Sequence, residues 1–392
     1  MFTKLARFIK TKYSRRVDKY AAKKRLQALY LLKAWEFMSD KNYEFDLVEH
    51  CYVDNRKELD DIEIIKRIVA AYNKAKAAQK SAPGFYQVGN EWLPIYEKQL
   101  KTVMQALSNE DIPALRKIYQ NFWRDPCSAG LIGLPTDMGK HFIGKRILRK
   151  YKKMHLFSGL HRMKLWRSLM GRNASLDELS SPAIGNPYYC SIDGHMVKAG
   201  SDYLHYYAST IGRLTETSQT RIVVEIGGGY GGMAYYLLRD QSNLTYIDFD
   251  LPENMALTAY YLLNSFPEKK IVLFGEAELT PECIASSDIL IMPNFEMDKL
   301  ADNSVDLAFN SYSLAEMAPE TITHYIALLS RMTRKYILHV NHTRHSLVTA
   351  DEFGIDPAQF ALIYKMPALW NAGVNPDMDE YEYLYRKKDA PG

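Results

Sequence analysis

From Arg221 onward the apolar residues fall into short β-branched runs separated by stretches of helical spacing. Ile222 to Ile226 suits a parallel strand buried on both faces, and Met233 to Leu238 resumes with helical composition after a cluster of glycines. Leu244 to Phe249 reads as a second strand ending in Asp250. Leu251-Pro252 then opens a helix reaching Ser265, because proline fits a first helical turn. Ile271 to Phe274, Asp288 to Met292, Ser304 to Asn310 and Tyr336 to Val340 are further strand candidates, with a helix expected from Pro319 to Met332. This alternation predicts an α/β, Rossmann-like domain whose mostly parallel sheet carries helices on both faces.

The first half has a different rhythm. Lys4 to Gln79 reads as helices with few breakers, and helical patterns return at Trp92 to Leu107 and at Ile112 to Trp123, the second opened by Asn109-Glu-Asp111. From Ser168 to Gly200 the composition shifts to Gly, Pro, Asn and Ser, with turn signals at Gly185-Asn-Pro187 and Asp193-Gly194. The expected organisation is an α-helical N-terminal domain (1–167), a connecting and acceptor-binding segment (168–219) and the Rossmann-like domain (220–392).

Chemistry concentrates where the first strand meets its helix. Glycines at 227, 228, 229, 231 and 232 permit positive φ and let a ligand approach the backbone closely at a helix N-terminus. Gly227, Gly229 and Gly232 satisfy the dinucleotide spacing G-x-G-x-x-G, with Asp248 or Asp250 near the position of a ribose carboxylate. The same residues read Glu225-x-Gly227-x-Gly229-x-Gly231, which resembles motif I of class I S-adenosylmethionine-dependent methyltransferases. The charge at 225 discriminates: it would repel a pyrophosphate and attract a sulfonium cofactor with a free amino group. An NAD(P)-dependent oxidoreductase is the alternative, and a noncatalytic glycan-assembly scaffold keeping the fold is a third. Ligands of parallel sheets bind beyond the carboxyl ends of the strands, which places Glu225, Asp250, Asn294, Asn310 and Asn341 on one rim.

The narrower resemblance lies in YIDFDLPENMALTAYYL, VDLAFNSYSLAEM, YILHVNH and YEYLYRK, with IGNPYYCSIDGHMVKAGSDYLHYYAS upstream. These strings, from Ile184 to the C-terminus, resemble the bacterial sugar O-methyltransferases, a family of glycan and glycosylated natural-product tailoring enzymes. The resemblance implies S-adenosylmethionine as cofactor, held by the turn at Gly227, Gly229 and Gly231 with Glu225 near its amino group. It implies Asp250 on the ribose hydroxyls, with Asp248 as alternate, and Asn294 and Asn310 as further cofactor contacts, Asn294 at the adenine edge. A hydroxyl acceptor calls for a base, and the candidates are His342 and Glu316, ahead of His345 and of His339, which lies within a strand as core histidines do. Tyr203, Tyr206, Asn341 and Trp370 are candidate acceptor contacts. The implied acceptor is a sugar, as a nucleotide-sugar, lipid-linked glycan or polysaccharide. A divalent metal is not favoured, since Asp298, Asp302 and Asp306 read as a polar loop leading into a strand.

At 392 residues and 47% hydrophobic content the chain can bury a large core, and its four cysteines lack C-x-x-C spacing, so neither a disulfide framework nor a zinc site is indicated. Net charge is only +4, yet Met1 to Arg25 holds ten Lys or Arg against Asp18 alone, and the bias recurs in Lys145 to Arg167. Two readings stay open: a solvated basic face, or contact with anionic lipid, glycan or a nucleotide-sugar phosphate. No nucleic-acid module is present, so no specific nucleic-acid partner is expected. Without a secretory signal or an apolar run of about 18 residues, the expectation is a cytoplasmic protein, with residues 1–25 able to touch an anionic membrane surface. The oligomeric state is not readable.

Overall fold

The computed structural model describes Lys24 and residues 54, 56–89, 92–132, 161–171, 173–192, 194–218, 221–344, 346–371 and 378–388. The basic segments 1–23 and 145–160, and His345, lie outside the described residues. Among the described residues no helix is long and apolar enough to cross a membrane.

Two short strands, β1 (Tyr189–Ile192) and β2 (His195–Lys198), pair antiparallel. The main sheet follows with β3 (Arg221–Ile226), β4 (Leu244–Asp250), β5 (Ile271–Leu273), β6 (Ile289–Pro293), β7 (Val305–Ser311), β8 (Thr333–His342), β9 (Phe360–Pro367) and β10 (Glu380–Lys387). Its order is β5-β6-β4-β3-β7-β8-β10-β9. The strands from β5 to β8 are parallel, and β10 runs antiparallel to both neighbours. The chain winds to one side of β3 through β4 and to the other through β7, so the order reverses at β3. That reversal opens a crevice at the carboxyl end of β3, where α/β sheets bind ligands.

The expected strands of the parallel portion form within a few residues of their predicted limits, since their apolar runs are buried on both faces. In the antiparallel pair, β9 has the apolar run Phe360 to Tyr364 but leaves Leu362 and Ile363 exposed, and β10 has no such run. In β10 tyrosines alternate with Glu380 and Glu382, and both acids are buried. His339 on β8 is buried and stacks on Tyr383 of β10 at 4.6 Å, and burial pushes its imidazole down to about 3.

Helices are α1 (Ile62–Gln79), α2 (Lys101–Ser108), α3 (Ile112–Tyr119), α4 (Ser201–Thr215), α5 (Gly232–Asp240), α6 (Pro252–Ser265), α7 (Pro281–Ala285) and α8 (Pro319–Met332). The helix expected at Trp92 to Leu107 is interrupted by a wide turn at Tyr96–Leu100 before α2. Asp111 caps α3, its carboxylate accepting from the Ala114 amide at 3.0 Å, and the helix ends at Tyr119. The apolar faces of α1, α2 and α3 share one core with α6, Ile65, Leu107 and Leu115 belonging to the same cluster as Tyr260 and Leu262. Fully buried Asp61 ties this seam, pairing with Arg116 at 2.9 Å and accepting from the Tyr260 hydroxyl at 2.7 Å. The N-terminal helices are thereby fixed against the sheet domain, and the loops following them reach over the crevice.

Candidate active site

The glycine turn is folded in a way few other sequences permit. Gly227, Gly229 and Gly231 have φ of 74°, 66° and 84°. A Cβ at Gly227 would stand 2.6 Å from the Ser313 hydroxyl, and one at Gly229 2.7 Å from the Leu131 carbonyl. The Gly228 amide donates to Asp248 at 3.1 Å. A backbone N–H that a bound pyrophosphate would need is therefore already taken by a carboxylate.

Above the turn lies a cavity of about 500 Å³. The carboxyl ends of the parallel strands form its floor, α4 contributes Tyr203 and Leu204, and the N-terminal half roofs it with Phe85, Gln87, Gly89, Trp92 and Gly130 to Ile132. At one end sit Glu225, Asp250, Asn254 and Asn294, all buried. Asp250 Oδ1 accepts from the Leu251 amide at 2.7 Å and from Asn254 Nδ2 at 3.0 Å. Its Oδ2 accepts no hydrogen bond, although the Gly229 N–H tempers the charge. Asn294 donates to the Tyr86 carbonyl at 3.2 Å and leaves its Oδ1 without a partner. Glu225 accepts from the Tyr246 hydroxyl at 2.5 Å.

Burial dominates the electrostatics of this end. It pushes Glu225 up to about 7, against the Tyr246 hydrogen bond, and raises Asp248 and Asp250 as well, the three carboxylates repelling one another. No lysine or arginine among the described residues pairs with any of them. Buried carboxylates with unused acceptor oxygens call for a ligand that brings hydroxyl or amino donors and positive charge.

The other end holds Arg162, Tyr203, Tyr312, Glu316, His342, Asn371 and Glu380. His342 Nδ1 faces Asp379 Oδ2 at 3.4 Å. Burial lowers the histidine's proton affinity, but Asp379, Glu380 and Glu316 outweigh it and hold the imidazole above its ordinary value. Glu316 accepts from the Trp92 indole at 2.7 Å, so the roof grips one of the two candidate bases. Tyr312 donates to Glu380 at 2.7 Å, and Tyr203 bonds the Ser311 hydroxyl. His342, Asp379 and Glu380 each bring a ligand atom within 4.8 Å of the others and could hold a cation.

The structure thus brings Glu225, Gly227, Gly229, Asp250, Asn294, Tyr203, Glu316 and His342 to one cavity. Other expected positions fall behind it. Gly231 shapes the start of α5. Asn310 donates to the Ile226 carbonyl at 2.9 Å and accepts from Asn341 at 2.9 Å, so this buried pair braces the end of β3 and does not line the cavity. Tyr206 and Trp370 pack on each other at 5.3 Å behind Tyr203. Asp248 reaches the turn from below. Of the aspartates near β7, Asp298 accepts from Tyr86 at 2.6 Å, Asp302 pairs with Arg331 at 2.9 Å and Asp306 with Arg334 at 2.7 Å. Sequence reasoning missed Trp92, Arg162, Tyr312, Asp379 and Glu380. Acids interleaved with tyrosines near the C-terminus were the one available signal.

No family model and no curated protein matches the chain. Solved structures align with part of it, at TM-scores below 0.5. The N-methyltransferase NodS from Bradyrhizobium japonicum WM9, in complex with S-adenosyl-L-homocysteine, is 11% identical over 47% of this chain and 86% of its own, with a TM-score of 0.33. Geranyl diphosphate methyltransferase is 11% identical over 47% of this chain and 77% of its own, at 0.34. The cyclase SpnF is 13% identical over 60% of this chain and 96% of its own, also at 0.34. The reaction has to be argued from the site.

Proposed function

We propose that this protein is an S-adenosylmethionine-dependent O-methyltransferase acting on a sugar hydroxyl, in a surface polysaccharide or another glycoconjugate precursor. One observation carries the cofactor assignment: buried Asp250 keeps an unpartnered Oδ2 beside Glu225 and the unpartnered Asn294 Oδ1, at a glycine turn whose Gly228 amide is already bonded to Asp248. Asp250 would accept ribose hydroxyls, Asn294 the adenine amino group, and Glu225 would face the cofactor's ammonium. The bound cofactor would supply an electrophilic methyl group. A dinucleotide fits poorly, because its pyrophosphate would meet buried carboxylates and an occupied amide.

The O-acceptor assignment rests on the dyad at the other end. An alcohol must lose its proton during transfer, and His342, with Nδ1 directed at Asp379, keeps Nε2 to receive it. Holding acceptor and donor in line is worth roughly 7 to 11 kcal/mol, against roughly 10² to 10⁴ in rate from a positioned base. The aromatic face of Tyr203 and the polar groups of Tyr312, Asn371 and Glu380 suit a hydroxylated ring.

Isothermal titration of the full chain tests the reading. S-adenosylhomocysteine should bind with no NAD(P) binding. NAD(P) binding alone would make the protein an oxidoreductase, and binding of neither would leave the scaffold. Transfer of labelled methyl to fractionated glycans, followed by linkage analysis, then tests the acceptor.

A further inference from the structure

Arg162 stands apart among the residues of the acceptor end. Its Nε donates to the Trp370 carbonyl at 3.2 Å and its Nη2 to the Asn371 side-chain oxygen at 3.2 Å, while the guanidinium lies over the Tyr203 ring, 5.8 Å from its centroid. Both acceptors are neutral. Among the described residues no carboxylate forms an ion pair with it. Asp202, at the start of α4, feels the guanidinium's field but spends Oδ1 on the Tyr203 amide.

The nearby Glu380 could have taken the arginine and does not. Asn371 stands between them, accepting from Arg162 through Oδ1 and donating through Nδ2 to Glu380 Oε2 at 2.8 Å, where Tyr312 also donates. The amide keeps the guanidinium fixed and out of ion-pair contact with Glu380, and Asp202 acts on it only through its field. A planar fork held in place by neutral groups on a cavity wall is a receptor for an oxyanion, since little side-chain freedom remains to be lost on binding. The acceptor end is therefore polarised, with Arg162 on one side and His342, Asp379, Glu316 and Glu380 on the other.

We infer that the acceptor carries an anionic group, a carboxylate or a phosphate, which Arg162 binds while a hydroxyl of the same molecule is presented to His342. This rests on the methyltransferase reading and narrows its acceptor to acidic or phosphorylated sugars. A neutral ring would leave the guanidinium without a contacting anion in a partly buried site.

The test uses the full chain saturated with S-adenosylhomocysteine, whose own binding is measured first. p-Nitrophenyl β-D-glucuronide, glucose 1-phosphate and p-nitrophenyl β-D-glucoside serve as probes for carboxylate, phosphate and neutral ring. Wild type should bind at least one anionic probe roughly tenfold or more tightly than the neutral glucoside, and which one identifies the anion. Arg162→Gln should erase that preference, and Arg162→Lys should retain part of it, with S-adenosylhomocysteine affinity unchanged in both. Thermal melting separates a structural role: a variant that melts lower but keeps the preference overturns the inference. So does wild-type binding that is equal for charged and neutral probes, or absent for all three. Failure of S-adenosylhomocysteine to bind would instead sink the methyltransferase reading, and the anion preference would still be measurable on its own.

Discussion

The two ends of the cavity are made in different ways. At the cofactor end, the turn, Glu225, Asp250 and Asn254 come from one strand-turn-helix-strand-helix unit, and backbone conformation does much of the shaping. At the acceptor end, Trp92, Arg162, Tyr203, Glu316, His342 and Glu380 arrive from six separate parts of the chain and are placed by tertiary packing alone. One end is rigid because its sequence leaves the backbone few options. The other depends on how the N-terminal half docks, and small changes far away can retune it.

The largest expected effect would break the link between the ends. Gly229→Val forces a β-branched side chain into a φ of 66° and against the Leu131 carbonyl. It should abolish S-adenosylhomocysteine binding by titration and also lift the Gly130 to Ile132 loop off the cavity. A Gly229→Val protein that binds as the wild type does would remove the turn from the cofactor site.

The acceptor end should respond in rate with cofactor affinity preserved. His342→Gln keeps hydrogen bonding but cannot take a proton, so kcat/KM should fall roughly 10² to 10⁴-fold. Because the surrounding carboxylates hold His342 above its ordinary value, the wild-type rate should fall as pH drops through a midpoint above that of a free imidazole, and the substitution should abolish this limb. Glu316→Gln should cost less. The reverse ranking would make Glu316 the base.

Stability against pH tests the cofactor end by itself. Glu225 and Asp250 are each pushed up to about 7 by burial, so between ordinary carboxylate values and that pH the folded state binds more protons than the unfolded one. The ligand-free protein should therefore lose stability as pH rises from about 4 to about 7, by at most about 1.4 kcal/mol per pH unit for each group. Glu225→Gln should flatten the slope. A melting temperature that climbs over this range would show these acids to be paired with something unseen.

The same contrast explains what the sequence could and could not reveal. Buried parallel strands write themselves as apolar runs, and a turn needing positive φ writes itself as glycine, so the sheet from β3 to β8 and the motif at 225–231 were readable. Asn310 and Asn341 were placed on the rim by the same strand logic, but strand position does not say whether an amide faces a ligand or a neighbouring carbonyl, and theirs face each other and the end of β3. The strand β10 lacks an apolar run because its tyrosines alternate with acids that are buried and satisfied by hydroxyls, as Glu382 is by Tyr207 at 2.8 Å, while the apolar run of β9 leaves Leu362 and Ile363 exposed at the sheet edge. Arg162 lies within a basic stretch that also reads as a solvated face, and only docking distinguishes a charge on a cavity wall from one in water.

The smallest expected effect is the most discriminating between the two candidate bases. Trp92→Phe preserves an aromatic ring in the roof and deletes one donor, the indole N–H that bonds Glu316 at 2.7 Å. A single bond to a charged group is worth about 1.5 to 3 kcal/mol when buried, and less here because water can replace part of it. If Glu316 is the base, losing that donor makes its carboxylate a stronger proton acceptor, and the acid limb of kcat/KM should shift upward with the maximal rate retained. If His342 is the base, Glu316 contributes only charge and orientation, so the limb should stay within a few tenths of a pH unit and the rate should drop modestly. S-adenosylhomocysteine affinity should be unchanged in either case, since the deleted N–H bonds Glu316 and none of Glu225, Asp250 or Asn294. Weakened cofactor binding in Trp92→Phe would mean that the two ends are coupled through the roof, and the division between a rigid cofactor end and an adjustable acceptor end would have to be given up.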